Sequence, residues 1–100
     1  MAMLICWDET KRQINLDKHG LDFADAVLVL DSEYRLDVAV VRNDEQRIQS
    51  FAYVFEVLMV LTVVHLARDD ARRIVSLRPA SEAERNEYHG WLENDYDHER

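Results

Sequence analysis

The run Val57-Leu58-Met59-Val60-Leu61-Thr62-Val63-Val64-His65-Leu66 constrains this chain more than any other stretch. Its β-branched residues are stiff in a helix and pack well on a pleated surface. Counted back to Phe51 it spans sixteen residues with Glu56 inside, short of the roughly 20 that a membrane helix needs. A continuous run of this kind predicts a central strand buried on both faces, to which the remaining elements must add neighbours and cover.

Those neighbours are readable. Leu4-Ile5-Cys6-Trp7 is a short first strand. Asp8 is a good N-cap for a helix to Lys18, and Gly20 stands where a left-handed C-terminal cap is wanted. The apolar content of that helix is thin (Ile14 and Leu16), which places it on the surface. Asp22 caps a second helix with Phe23, Ala26, Val27 and Leu30 at core-facing spacing, ended by Asp31-Ser32. Tyr34 to Val41 reads as a strand and Arg42-Asn43-Asp44-Glu45 as a turn. Gln46 to Tyr53 then carries Arg47, Gln49 and Phe51 on one face, with Ile48 and Ser50 on the other.

After the central run, Arg68-Asp69-Asp70 turns into a last strand, Arg72 to Arg78, which Pro79 stops. Ser81-Glu82-Ala83-Glu84 has the form of a capping box. The closing helix bears Tyr88, Trp91, Leu92 and Tyr96 as an apolar stripe. The order is β-α-α-β-β-β-β-α. Short turns between successive strands predict a twisted, mainly antiparallel sheet with helices packed on it, an α+β fold.

At 100 residues, 48% of them apolar, with two glycines and one proline, the chain reads as a single packed domain over 1–100. Its lone cysteine, Cys6, has no internal disulfide partner and reads as inert, and no spacing suggests a metal site or other cofactor. The first residues have no basic n-region, so the expected location is cytoplasmic, away from membranes. The net charge of −8 argues against a nucleic-acid partner on its face. The charge is uneven, however. Residues 81–100 hold seven acids against two arginines, whereas residues 42–78 hold six arginines against five acids. A basic face is compatible with an acidic whole.

The pattern Trp7-Asp8-Glu9-x-Lys11-x-x-x-Asn15-x-x-Lys18-His19-Gly20, followed by Phe23 and Ala26, resembles the BrnT family of toxins from type II toxin–antitoxin systems. Glu45-x-Arg47, Arg73-Ile74-Val75-Ser76-x-Arg78, Ala80, Glu84-Arg85 and Tyr88 continue the resemblance in order. It implies a RelE-like fold, metal-independent ribonuclease activity on an RNA substrate, and neutralisation by a ribbon-helix-helix (BrnA-like) antitoxin, through which alone DNA would be contacted. The family usually has a glycine soon after the Glu-x-Arg strand; residues 51–57 contain none, so the turn there uses other chemistry or the strands are longer.

Cleavage of RNA by its own 2′-hydroxyl needs a proton acceptor, a proton donor and cations on the phosphate. His19 titrates near neutrality and suits proton transfer. Lys18, Arg47 and Arg78 complete the candidate catalytic set, with Lys11, Arg73 and Tyr88 as candidate substrate contacts. Each has a structural alternative: His19 as a helix-end cation, Arg47 paired with Glu45, Arg78 paired with Glu84, and Tyr88 as core. Trp7 and Asn15 read as structural, and His65 as a hydrogen-bonded strand residue. Ser76 has no base nearby in sequence to make it a nucleophile. The competing function is a binding module whose task is to grip the antitoxin, with little or no catalysis.

Overall fold

The computed structural model describes residues 4–98, with side chains described for 4–94. Five strands form one mixed sheet: β1 (Ile5–Trp7), β2 (Leu36–Arg42), β3 (Glu45–Val54), β4 (Met59–Arg68) and β5 (Ala71–Pro79), in spatial order β1-β5-β4-β3-β2. Three helices, α1 (Glu9–His19), α2 (Val27–Leu30) and α3 (Glu82–His98), complete an element order consistent with the expected one. β1 pairs with β5 in parallel and the other neighbours are antiparallel. The apolar run is the middle strand, and Val60, Leu61, Thr62, Val63 and His65 are buried. No helix among the described residues is long and apolar enough to cross a membrane.

The strand starts at Met59 rather than Val57 because the chain turns there without glycine. The Val57 and Leu58 amides both donate to the Val54 carbonyl, at 3.2 and 2.8 Å. Leu58 closes the turn at φ 56°, a left-handed conformation that costs an L-residue roughly 1–2 kcal/mol. Asn43 and Asp44 make the β2–β3 turn at φ 52° and 62°, where short polar side chains are better tolerated. The second helix is shorter than expected. Asp22 caps a 3-10 turn over Phe23–Ala26, which runs into the single turn of α2.

Two apolar layers cover the sheet. On one face Phe23, Ala26, Val29 and Leu30 pack on Ala52, Val54, Leu61, Val63, Ile74 and Leu77, with Trp7 at the margin. On the other, Tyr88 packs with Phe51, Val60 and Ala80, flanked by Leu36, Val38, Trp91 and Leu92. Tyr96, expected in that stripe, lies outside the residues whose side chains are described. α3 thus covers one end of its face and leaves the Gln49, Val64 and Ser76 end to a groove.

Asn15 is the buried residue of α1. Its Nδ2 donates to the carbonyls of Leu77 at 2.7 Å and Leu21 at 3.0 Å, and its Oδ1 accepts from the Leu77 amide at 3.2 Å. The expected structural role is correct, but the bonds are long-range as well as local. His65 is also buried, and its Nε2 lies 2.7 Å from Ser50 Oγ, which donates to Asp37 Oδ1 at 2.6 Å. The hydroxyl proton is spent on the carboxylate, so the imidazole carries its hydrogen on Nε2. Its Nδ1 has no hydrogen-bond partner among the described residues. Burial, with Arg72 and Arg35 nearby and outweighing Asp37, lowers its pKa from 6.5 to about 4.

Three outcomes follow from these placements. Leu58→Gly relieves the left-handed strain at an exposed position and should raise stability by about 0.5–1 kcal/mol in urea titration. Asn15→Ala leaves the Leu77 N–H and C=O without partners and should cost about 2–4 kcal/mol in the same assay. His65 takes up its proton more readily unfolded, so its stabilising effect is complete above pH 6.5 and declines as pH falls towards 4. Denaturation midpoints compared at pH 7 and pH 5 should show a loss of roughly 2 kcal/mol. His65→Gln should remove most of that slope.

Candidate functional site

The Lys18-His19-Gly20 corner is built by local chemistry and then fixed in space. Asp8 accepts the Lys11 amide at 3.0 Å and starts α1. Gly20 at φ 70° ends it, its amide bonding to the Leu16 carbonyl at 2.8 Å. Arg12 ties the helix to the next turn, reaching Glu9 at 2.6 Å and Asp22 at 2.9 Å. Asn15 then holds the helix against β5. The corner therefore stands at a set distance from the β5 edge.

Two adjoining hollows flank that edge. One, of about 190 Å³, is lined by Lys11, Ile14, Asn15, Lys18, His19, Val75 and Ser76. The other, of about 240 Å³, lies on the open sheet face and is lined by Val40, Arg42, Arg47, Gln49, Val64, Val75, Ser76 and Arg78. Val75 and Ser76 belong to both. The register explains why: Val64 faces Ser76 but His65 faces Ile74, so Val75 is an extra residue in β5. Such a bulge bends the strand and re-aims its side chains.

The sheet brings the arginines to this face by alternation. Arg47 pairs across β3–β2 with Val40, and Gln49 lies opposite Val64, which faces Ser76. Arg78 lies opposite Thr62 one row further along. Both arginines have carboxylate partners. Arg47 Nε lies 2.8 Å from Glu45 Oε1. Arg78 grips Glu84 with two bonds, Nη1 to Oε1 at 2.7 Å and Nη2 to Oε2 at 2.9 Å.

Glu84 is also the capping-box residue expected from sequence. Its amide donates to Ser81 Oγ at 3.2 Å, and the Ser81 amide donates back to its Oε1 at 2.9 Å. The Arg78 fork, helped by the Ser81 amide and the Thr62 hydroxyl, holds the Glu84 pKa down at about 2. The Arg78 pKa is raised in turn by Glu84. His19 is shifted downward from 6.5, first by partial burial and then by the positive charges of Lys18 and Arg78. The shift favours the neutral form of the imidazole, the form able to accept a proton.

Of the seven residues singled out from sequence, Lys11, Lys18, His19, Arg47 and Arg78 line the paired hollows. Arg73 precedes buried Ile74 on β5 and by alternation stands on the groove face, but it lines neither hollow. Tyr88 is not brought to them. It is 2% exposed, and its hydroxyl donates to the Tyr34 carbonyl at 2.7 Å and accepts from the Tyr53 amide at 3.3 Å. The substrate contact expected of it is replaced by a structural one, because ring and hydroxyl are already committed.

Arg42, Gln49 and Ser76 line the groove without having been singled out for it. Period-two alternation across the Asn43-Asp44 turn was the available signal for the first two, since it puts Arg42 and Val40 beside Glu45 and Arg47. Ser76 carried the same signal, since it stands two residues before Arg78 on β5 and alternation puts both on one face.

A family model described as the ribonuclease toxin BrnT of type II toxin–antitoxin systems matches residues 7–84. A comparison with curated proteins gave no match. The family match implies an RNA substrate and an antitoxin partner. It runs from Trp7 at the end of β1 to Glu84 beneath Arg78, and so takes in both hollows. This chain belongs to the BrnT ribonuclease toxins of type II toxin–antitoxin systems.

Proposed function

We propose that the chain is a RelE-like endoribonuclease, acting in the cytoplasm as one BrnT-like domain over residues 1–100, that cleaves RNA without a bound metal and so inhibits translation. The observation that carries this reading is the meeting of His19 and Lys18 with the Val75–Arg78 segment at one strand edge. The substrate 2′-oxygen attacks the adjacent phosphorus and the bond from phosphorus to the 5′-oxygen breaks. The products are a 2′,3′-cyclic phosphate and a free 5′-hydroxyl. His19, whose surroundings favour its neutral form, takes the 2′-hydroxyl proton. Lys18 carries a proton that it can deliver to the leaving 5′-oxygen.

Arg78 and Arg47 offset the charge that builds on the phosphate, a task suited to the planar guanidinium fork. Lys11 and Arg73 extend the track for the flanking backbone. In this reading Tyr88 serves the scaffold. The polar lining of the groove is three arginines, an amide and a hydroxyl among valines, a donor set that suits a metal-independent route. The partner that restrains the toxin is a ribbon-helix-helix antitoxin, which makes any contact with DNA on behalf of the pair.

A second reading draws on the two ion pairs. With Arg47 on Glu45 and Arg78 on Glu84, and a net charge of −8, the domain would bind RNA weakly and act mainly by gripping its antitoxin. Incubating the purified protein with single-stranded RNA in chelator at low salt separates the two. The first reading expects cyclic-phosphate ends, and His19→Ala should lower kcat by about 100-fold or more. The rate should also fall as pH drops through the lowered His19 pKa. Intact RNA with tight antitoxin binding would decide for the second reading. Undiminished growth arrest by a His19, Arg47 and Arg78 triple-alanine variant would sink the site assignment.

A further inference from the structure

We infer that Glu84 is a positioning residue of the cleavage site: it grips one edge of the Arg78 guanidinium so that the other edge is presented to the phosphate in the groove. This rests on the ribonuclease reading above for the identity of the ligand, and on the geometry of the pair for the role of Glu84. A guanidinium has five N–H donors on two usable edges. The Glu84 carboxylate takes the end edge, one hydrogen from Nη1 and one from Nη2. The side edge, made of Nε–H and a remaining Nη–H, makes no hydrogen bond to another described residue, and Arg78 lines the groove.

Glu84 is itself held from three directions. Oε1 accepts from Arg78, from the Thr62 hydroxyl at 3.1 Å and from the Ser81 amide at 2.9 Å. These donors come from β5, β4 and the loop that opens α3. The Glu84 side chain is 14% exposed and that of Arg78 28%, so the carboxylate is the more buried partner of the two. A guanidinium fixed in this way has lost its rotamer freedom before substrate arrives, and the phosphate need not order it again. A carboxylate placed merely to block Arg78 would compete for the edge that phosphate uses. Here the two edges are different.

The test is a double-substitution cycle. Cleavage of a short single-stranded RNA in chelator, and binding of its uncleavable 2′-O-methyl copy, are measured for Glu84→Gln in the wild-type and in the Arg78→Lys background, with thermal midpoints for each. Glu84→Gln should lower kcat by about tenfold or more in the wild-type background with KM changed by less than about threefold. In the Arg78→Lys background it should change kcat by less than about twofold, since lysine has no second edge to orient. Thr62→Val removes one hydroxyl from Glu84 without altering charge, and should give the same pattern at about threefold even if Glu84→Gln folds poorly.

Equal losses in both backgrounds would mean that Glu84 acts through the fold, which overturns the positioning role and leaves the ribonuclease reading standing. Faster cleavage or tighter binding by Glu84→Gln would also overturn it, because the carboxylate would then be a competitor. If the wild type cleaves nothing, the ribonuclease reading falls and the binding arm decides. Weakened 2′-O-methyl RNA binding only where Arg78 is present supports positioning, and unchanged binding overturns it.

Discussion

Beyond the Trp7–Ile74 pair β1 stops, and β5 is left with an unpaired edge at Leu77. The Asn15 amide takes the place of the missing strand, accepting the Leu77 N–H and donating to the Leu77 carbonyl as a neighbouring backbone would. An amide can do this because it carries donor and acceptor side by side at backbone-like spacing. Its remaining hydrogen goes to the Leu21 carbonyl, so the group is fully used and only one orientation satisfies it. This one side chain closes the sheet edge, seats α1 on it, and sets where the turn after the helix leaves. Everything at the Lys18-His19 corner inherits its position from that contact.

The second determinant is the extra residue in β5. Were Val75 an ordinary ladder residue, alternation would run unbroken from Ile74 to Leu77, three positions apart, and put the two on opposite faces. The bulge absorbs the extra residue, keeping Ile74 and Leu77 both in the core while Val75 and Ser76 border both hollows. It joins a surface formed by a helix end to a surface formed by a sheet. The bulge lies beside His65, whose Nδ1 has no hydrogen-bond partner among the described residues. The hydrogen bond to Ser50 makes this tolerable only while the ring is neutral.

What was legible in the sequence is what short-range chemistry decides. Asp8, Gly20, Ser81 and Glu84 cap helices as their types require. The Val60–His65 part of the apolar run had to be interior, and alternation assigned Arg47 and Gln49 to one face of β3. What was not legible depends on partners far away. The parallel β1–β5 pairing, the Asn15–Leu77 bonds across 62 residues and the bulge leave no local pattern. The missing glycine was visible, but that Leu58 itself would adopt the left-handed conformation was not, because propensity argues against it. Tyr88 shared a stripe with Trp91 and Leu92, and the packing that this implied outweighed the chemistry its hydroxyl invited.

Net charge is the other place where the sum misleads and the placement informs. Opposite charges act on a ligand over about 8–10 Å at moderate salt, so only nearby groups set the field in a groove. Arg42, Arg47, Arg73 and Arg78 stand on strands whose alternation gathers them on one face, while seven of the twenty acids lie in the segment from Glu82 onward. Of those acids, Glu84 reaches into the site, and it does so in a fixed ion pair rather than as a free charge. Arg42, Lys11 and Lys18 have no ion-pair partner among the described residues, and they flank the paired Arg47 and Arg78. The groove is thus locally cationic with its two central guanidiniums held in place, an arrangement that gives up some attraction for RNA at long range in return for defined geometry at the phosphate.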